Sequence, residues 1–511
     1  MDLPTDCPQR EREGWLGDAQ LAFETIQHNF DGGAFYTKWV RDLGDVQIYD
    51  NRTRGADGAM PDTCPFYSTS STELEADPGW GIAAWVVPSQ FSSYYDDDRM
   101  ERAFYPHQRA YIEHWIKLAL NNSGELPPTL QHSGDWGCLQ PGPTNCGPVE
   151  YSHFFYVYAL ALQTECSTRL GIAADAVRYS ALLSAARQLY ILKYFNSSDG
   201  CFGNCTDISQ ILGLTVAKAD SALLRADEES KAWEQALSWF GAEGRYEGRF
   251  GGGIVSLKLL YPLLDAYGMS ELGLQFQLHT DKPPSFGYWI AQGATTCEPA
   301  FLSTPPCKIY TAILLYCYNI IRILQGENAF SVWEFWSNSE YTFNGGLNSY
   351  NHIMYGGTGS WYYSKLAGLR RSPGSRSWSE LIIAPPAPGE LSQLTWANAS
   401  IDTPMGLAGS AWEHDGAEGA YTLHATVPPN ARASVIIPAD PATSAIVLES
   451  GAVVWSHGKF VPGGVAGGVV AASAKADGSG VVFEVGSGHY LFTTDSSDSS
   501  FQEQRALALG V

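Results

Sequence analysis

The residues best placed to do chemistry in this chain lie in the run Asp6-Cys7-Pro8-Gln9-Arg10-Glu11-Arg12-Glu13-Gly14-Trp15-Leu16-Gly17-Asp18. It is too polar, and too broken by proline and glycine, to be a core helix. A solvated surface loop could have this composition. The carboxylates Asp6, Glu11, Glu13 and Asp18, clustered beside Trp15, suggest something more specific. Cleaving a glycosidic bond requires one carboxyl group that keeps its proton near neutral pH, and an apolar wall or a neighbouring like charge raises a carboxyl pKa enough for that.

The same run resembles the signature of the bacterial-type α-L-rhamnosidases (glycoside hydrolase family 78), roughly Asp-Cys-Pro-x-Arg-Glu-(x)-x-Gly-Trp-x-Gly-Asp. Further matches follow in that family's order: Lys38-Trp39-Val40-Arg41-Asp42, Trp80-Gly81-Ile82-Ala83-Ala84, Gly134-Asp135-Trp136, Pro284-Ser285-Phe286-Gly287-Tyr288, Gly293-Ala294-Thr295-Thr296, Trp333-Glu334-Phe335-Trp336 and Asn348-Ser349-Tyr350-Asn351-His352. The resemblance spans most of the chain. It implies hydrolysis of terminal α-L-rhamnosides with inversion, in which one carboxylic acid protonates the departing oxygen and a carboxylate across the ring deprotonates water, the pair standing about 6.5–9.5 Å apart. No cofactor or metal is expected, because water and two carboxyl groups suffice.

Carried over residue by residue, the resemblance makes Glu11 the general acid, with Glu13 falling on the variable position. Glu334, after Trp333 and before Phe335-Trp336, becomes the general base. Its competitor Glu298 lacks the preceding tryptophan and is followed by helix-breaking Pro299. Asp6, Arg10, Trp15, Asp18, Asp135, Trp136, Trp333 and His352 are the implied substrate-binding residues. Asp6 and Asp18 would accept from sugar hydroxyls, and their charge would help to hold Glu11 protonated. For Asp135 and Trp136 a helix cap with a packing aromatic is an equally ready explanation. Asp96-Asp97-Asp98, ahead of Arg99, reads as the solvated start of a helix, since the spaced ligand pattern of a calcium loop is absent.

These residues must be held by a mainly helical frame. Up to about residue 370, apolar residues recur with helical period: Tyr179, Leu182, Leu183, Ala186, Leu189, Tyr190 and Tyr194 share one face of 173–195, and similar stripes run through 151–168 and 255–266. That the helices close into an (α/α)6 toroid, incomplete at its N-terminus because family members carry β-domains and an opening helix ahead of the motif, is what the resemblance implies. From 371 to 385 Pro/Gly/Ser-rich sequence suggests a linker. Short β-branched runs over 386–495 then predict a C-terminal antiparallel β-sandwich, followed by a tail, 496–511.

One segment departs from the family pattern. Residues 297–331 stand between Gly-Ala-Thr-Thr and Trp-Glu, where the family runs almost directly on. Cys297-Glu298 can be encoded with a splice donor and Ser331-Val332 with an acceptor, and joining them in frame restores the family sequence. A retained intron is the expectation, a lineage-specific insertion the alternative. The apolar stretch inside it, 309–318, is too short to cross a membrane.

Composition excludes other classes. A formal charge of −23 argues against nucleic-acid and anionic-membrane partners, which select basic faces. Sixteen tryptophans suit a protein that stacks on pyranose rings, although many will be core. The cysteines allow two short bridges, Cys138 with Cys146 and Cys201 with Cys205, and no convincing zinc set. Asn-x-Ser/Thr sequons at Asn51, Asn121, Asn196, Asn204 and Asn398 hint at secretion, whereas no leader peptide precedes the motif. The expected partners are rhamnose-containing glycosides or polysaccharides. The alternatives are a catalytically inactive product that keeps carbohydrate binding, and an (α/α)6 glycosidase of other specificity.

Overall fold

A computed structural model describes residues 3–7, 11–47, 58–66, 75–139, 146–292, 334–336, 349, 351–414, 420–439, 446–462 and 468–495. The chain divides into two compact units, with the boundary between Gly359 and Ser360, ahead of the position 370 expected from sequence.

The first unit is built from α1 (Leu16–Asn29), α2 (Gly33–Val46), α3 (Pro78–Gly81), α4 (Ala83–Tyr95), α5 (Arg99–Asn121), α6 (Tyr151–Arg169), α7 (Ala173–Tyr194), α8 (Asp207–Lys218), α9 (Ala226–Phe240), α10 (Ile254–Ala266), α11 (Ser270–Leu278) and α12 (Phe286–Ala291). Helices α1, α4, α6, α8 and α10 bury residues on nearly every face, polar ones such as Asp18, Gln20 and Gln163 included. Each packs on the next, and α10 returns to α1. A 3₁₀ turn, Met354–Thr358, packs between α10 and α1 and completes the ring. Outside it lie amphipathic helices such as α7, which buries Tyr179, Leu183, Ala186, Tyr190 and Tyr194 along one stripe and leads into a short antiparallel hairpin, β1 (Phe195–Asn196) with β2 (Cys201–Phe202).

Local chemistry sets the starts of several helices. Thr206 caps α8 by accepting from Ser209 N, and Ser285 caps α12 by accepting from Gly287 N. Helix α5 begins at Arg99, whose N–H donates to Asp97 Oδ1 at 3.0 Å, so the acidic run is a helix start as expected. Both short cysteine pairs, Cys138–Cys146 and Cys201–Cys205, are disulfides. Among the described residues no helix is long and apolar enough to cross a membrane.

The second unit holds two sheets. Strands β3 (Leu369–Arg371), β4 (Glu380–Ile383), β8 (Arg432–Ile437), β12 (Val469–Ala474) and β13 (Val481–Val485) form one. The other contains β5 (Trp396–Thr403), β6 (Gly406–His414), β7 (Tyr421–Val427), β9 (Ile446–Glu449), β10 (Ala452–Ser456), β11 (Lys459–Phe460) and β14 (Gly488–Asp495). All pairings are antiparallel except β4 with β8. Alternation along each strand turns Val435, Ile437, Val481 and Phe483 from one sheet, and Leu423, Ala425 and Phe492 from the other, into a shared core. Phe483 and Phe492 meet across it with ring centroids 5.0 Å apart.

The stretch expected to be a linker is part of this sandwich. Ser372, Pro373 and Gly374 turn the chain between β3 and β4, whose residues Arg371 and Leu381 pair in register. Proline and glycine mark a tight turn there as well as they would mark a flexible joint, and the apolar Leu381 and Ile383 that follow decide for the turn.

Candidate active site

The signature run closes on itself before it enters α1. Asp6 N donates to Glu13 O at 3.0 Å, and Glu13 N donates back to Asp6 Oδ1 at 2.8 Å. Cys7 Sγ donates to Asp6 Oδ2 at 2.9 Å, so both oxygens of this buried carboxylate brace the loop. Residues 14–16 then pair with 62–64: Cys64 N donates to Gly14 O and Leu16 N to Asp62 O, both at 2.9 Å. The two motif glycines serve close approach. A Cβ on Gly14 would stand 2.1 Å from the Cys64 carbonyl oxygen, and one on Gly17 2.6 Å from the Trp80 indole.

A cavity of about 210 Å³ opens where this loop meets the start of α1. It is lined by Glu11, Trp15, Asp18, Trp80, Ser133, Trp136, Glu334, His352 and Met354. Glu11 is exposed and accepts a hydrogen bond from Trp15 Nε1 at 3.0 Å. Glu334, only 2 % exposed, lies deeper. Its backbone N–H donates to Ser349 O at 2.9 Å, and its Oε2 accepts from Ser349 N at 3.2 Å. Trp336, two residues on, stacks on Trp289 at 4.6 Å and donates through Nε1 to Gly252 O at 3.2 Å. Glu334 therefore stands on a fixed aromatic base.

His352 Nε2 lies 2.7 Å from Asp18 Oδ1, and both side chains are buried. Burial pushes the Asp18 carboxyl above its usual range. Burial alone would lower His352, but the charge and hydrogen bond of Asp18, with Glu334 behind, carry it well above an ordinary histidine.

The cavity gathers Glu11, Trp15, Asp18, Trp136, Glu334 and His352 from the sequence-derived set. Two others are not part of the lining. Asp6 braces the loop just behind it, its carboxylate within 4.8 Å of His352. Asp135 is fully buried and caps α10: its oxygens accept from Gly253 N at 2.8 Å, Val255 N at 2.8 Å, Ser256 N at 3.2 Å and Ser256 Oγ. Its carboxylate faces the free N–H groups of a helix N-terminus and not the cavity, which makes it the cap weighed above. Glu13, the rival of Glu11, is absent from the lining. Arg10, Trp333 and residues 297–331, with Glu298, lie outside the described residues.

Sequence reasoning missed Ser133 and Met354, and it left Trp80 out of the substrate-binding set. Trp80 sat in a quoted family match, which was the available signal; Ser133 and Met354 had none. It also missed the supports behind them. Asp62 Oδ2 meets His132 Nε2 at 2.5 Å, beside Ser133. Burial raises Asp62 to about 6. His132, which burial alone would lower, is carried up to about 9 by its bond to Asp62 and by the charges of Asp62 and Asp77. A histidine whose folded pKa is raised contributes stability that is complete below about 6.5 and lost as pH climbs toward the folded value. The melting temperature is therefore expected to fall between pH 6.5 and 9, and to fall less in His132→Gln; equal slopes in thermal melts would count against the pair.

Comparison with known proteins identifies the family. A family profile described as the bacterial alpha-L-rhamnosidase 6 hairpin glycosidase domain matches residues 1–305, and the bacterial alpha-L-rhamnosidase C-terminal domain matches 368–450. An alpha-L-rhamnosidase of Streptomyces avermitilis is 27 % identical over 496 residues, covering 96 % of this chain and 39 % of that protein. The solved alpha-L-rhamnosidase of Dictyoglumus thermophilum superposes with a TM-score of 0.75 at 25 % identity, covering 97 % of this chain and 47 % of its own. The Streptomyces avermitilis enzyme, solved in complex with L-rhamnose, shares the fold with a TM-score of 0.70 at 24 % identity, covering 96 % of this chain and 39 % of its own. The chain thus spans between about two-fifths and half of the length of these relatives. With the six-hairpin profile matching more than half of its length and the C-terminal profile following it, the chain belongs to the bacterial α-L-rhamnosidase family.

Proposed function

We propose that this chain hydrolyses terminal α-L-rhamnosides with inversion, with Glu11 as general acid and Glu334 as general base. The observation that carries this reading is that these two glutamates, more than three hundred residues apart in sequence, line one cavity with Trp15, Trp80 and Trp136. At about 210 Å³ the cavity is smaller than the roughly 300–1,000 Å³ typical of drug-sized ligands, which suits a single sugar ring. Indole faces favour the apolar faces of such a ring, while Asp18 and His352 supply polar partners for its hydroxyls.

The two glutamates stand at different depths of the cavity. Glu11 is exposed at the rim, where an aglycone of any size can extend into solvent. Trp15 N–H occupies Oε2, which leaves Oε1 as the oxygen from which a proton would pass to the departing glycosidic oxygen. Glu334 is buried, where a water molecule can be held against the opposite face of the ring and lose a proton to the carboxylate as it attacks the anomeric carbon. The products are the free aglycone and β-L-rhamnose, with Glu11 deprotonated and Glu334 protonated until solvent restores them.

The test is rhamnose release from 4-nitrophenyl α-L-rhamnoside, followed by proton NMR of the first product. β-L-Rhamnose appearing first is the expected result, and α-L-rhamnose first would replace inversion by retention. If the folded chain binds L-rhamnose but releases none, the inactive, sugar-binding alternative takes over. Turnover of a different glycoside only, in a panel of chromogenic substrates, would move it to another specificity.

A further inference from the structure

Two aromatic walls of the cavity, Trp80 and Trp136, come from segments far apart in sequence, and one buried carboxylate holds both. Asp77 is fully buried and caps α3, its Oδ1 accepting from Gly79 N at 2.9 Å, one residue before Trp80. Its Oδ2 accepts from three successive backbone groups of the other segment: His132 N at 2.9 Å, Ser133 N at 2.8 Å and Gly134 N at 2.9 Å. The Asp77 N–H is tied in turn to Asp62 Oδ1 at 2.9 Å, and His132 Nε2 reaches Asp62 Oδ2. Tyr151 Oη donates to Gly134 O at 2.9 Å from the other side. Among the described residues no lysine or arginine pairs with Asp77, and four backbone N–H groups converge on its carboxylate. A carboxylate bonded this way in a buried site is a strong, directional restraint.

We propose that Asp77 is a positioning residue that sets the spacing between the Trp80 wall and the Ser133–Trp136 wall, and thereby the fit of the sugar ring. The inference rests on the sugar-cleaving reading of the cavity. It requires a carboxylate specifically. An asparagine offers one acceptor oxygen, and whichever way it turns, its NH₂ faces either Gly79 N–H or the trio of N–H groups. Glutamate would push the two segments apart by a methylene. Because the walls meet the sugar in the ground state and the transition state alike, loosening them removes uniform binding, so KM rises while kcat is kept.

The experiment combines hydrogen exchange, L-rhamnose binding and steady-state kinetics on 4-nitrophenyl α-L-rhamnoside for wild type, Asp77→Asn and Asp77→Ala. Expected are faster amide exchange at 132–134, a rise of about 10-fold in both KM and the L-rhamnose dissociation constant for Asp77→Asn, and a larger rise for Asp77→Ala, with kcat little changed. A fall in kcat at constant KM overturns the proposal, as do exchange and KM that stay at the wild-type values. If the wild type neither binds nor cleaves rhamnosides, the functional reading fails, and faster exchange in Asp77→Asn alone would still establish the clamp. If both Asp77 variants fail to fold, His132→Gln takes their place. Its side chain is 26 % exposed, and the variant frees the same loop from Asp62 only. It should shift exchange and KM in the same direction by less, and wild-type values for both would overturn the clamp.

Discussion

Glu334→Gln is expected to lower kcat on 4-nitrophenyl α-L-rhamnoside by about 100- to 10,000-fold, the range usual for a positioned general base. Affinity for L-rhamnose should stay close to that of the wild type. The substitution is nearly isosteric and leaves its surroundings intact. The backbone bond from Glu334 to Ser349 O needs no side chain, and an amide oxygen can still accept from Ser349 N. Trp336, stacked on Trp289 and bonded to Gly252, holds the backbone whatever occupies 334. The loss should therefore appear in the chemical step. Azide, which attacks without needing its proton removed, should restore turnover and yield the β-L-rhamnosyl azide. Full activity in Glu334→Gln would remove this residue from the mechanism. A loss accompanied by equally weak rhamnose binding would make it a binding residue.

Glu11→Gln is expected to cost a similar factor on substrates with poor leaving groups, and much less on activated ones. A general acid contributes by protonating the departing oxygen, so an alkyl rhamnoside, whose alkoxide is a strong base, should lose about 100- to 10,000-fold. With 2,4-dinitrophenyl α-L-rhamnoside the leaving phenolate needs little protonation, and the deficit should shrink sharply. Glu334→Gln should show no such dependence, because its proton comes from water. The Trp15 N–H that bonds Glu11 Oε2 can bond the amide oxygen of glutamine equally well, so the loop is expected to keep its shape. A deficit that is the same for both leaving groups would transfer the acid role elsewhere. Glu13→Gln is the control within the same loop, since Glu13 does not line the cavity.

The boundary between what was readable and what was not follows the range of the interactions involved. Helices over 151–169, 173–194 and 254–266, and strands over 432–437 and 481–485, could be read from the chain, because periodic apolar residues report which face of an element will be buried. Glu11, Trp15 and Asp18 were readable together because their spacing is local: one closed loop and the first turn of α1 hold all three. The Ser372–Gly374 turn was misread because proline and glycine specify a break in regular structure but not whether the chain resumes in the same sheet.

Asp135 shows why the site could not be completed this way. Its partners, Gly253, Val255 and Ser256, lie more than a hundred residues downstream, and no local pattern distinguishes a carboxylate that will cap a distant helix from one that will meet a ligand. The same holds for Asp77, read as nothing in the chain, whose one carboxylate joins residue 79 to residues 132–134. The sequence by itself determined which long segments are helical and which are strands, and its resemblance to the family nominated the signature loop and the two candidate glutamates. Only the tertiary structure decided that Glu11 and Glu334 share a cavity, that Trp80, Ser133 and Met354 help to line it, and that the carboxylates of Asp6 and Asp135 accept from backbone N–H groups. A polar side chain's role depends on which donors lie within about 3 Å of it, and in a ring of helices those donors are brought there by closure of the whole ring.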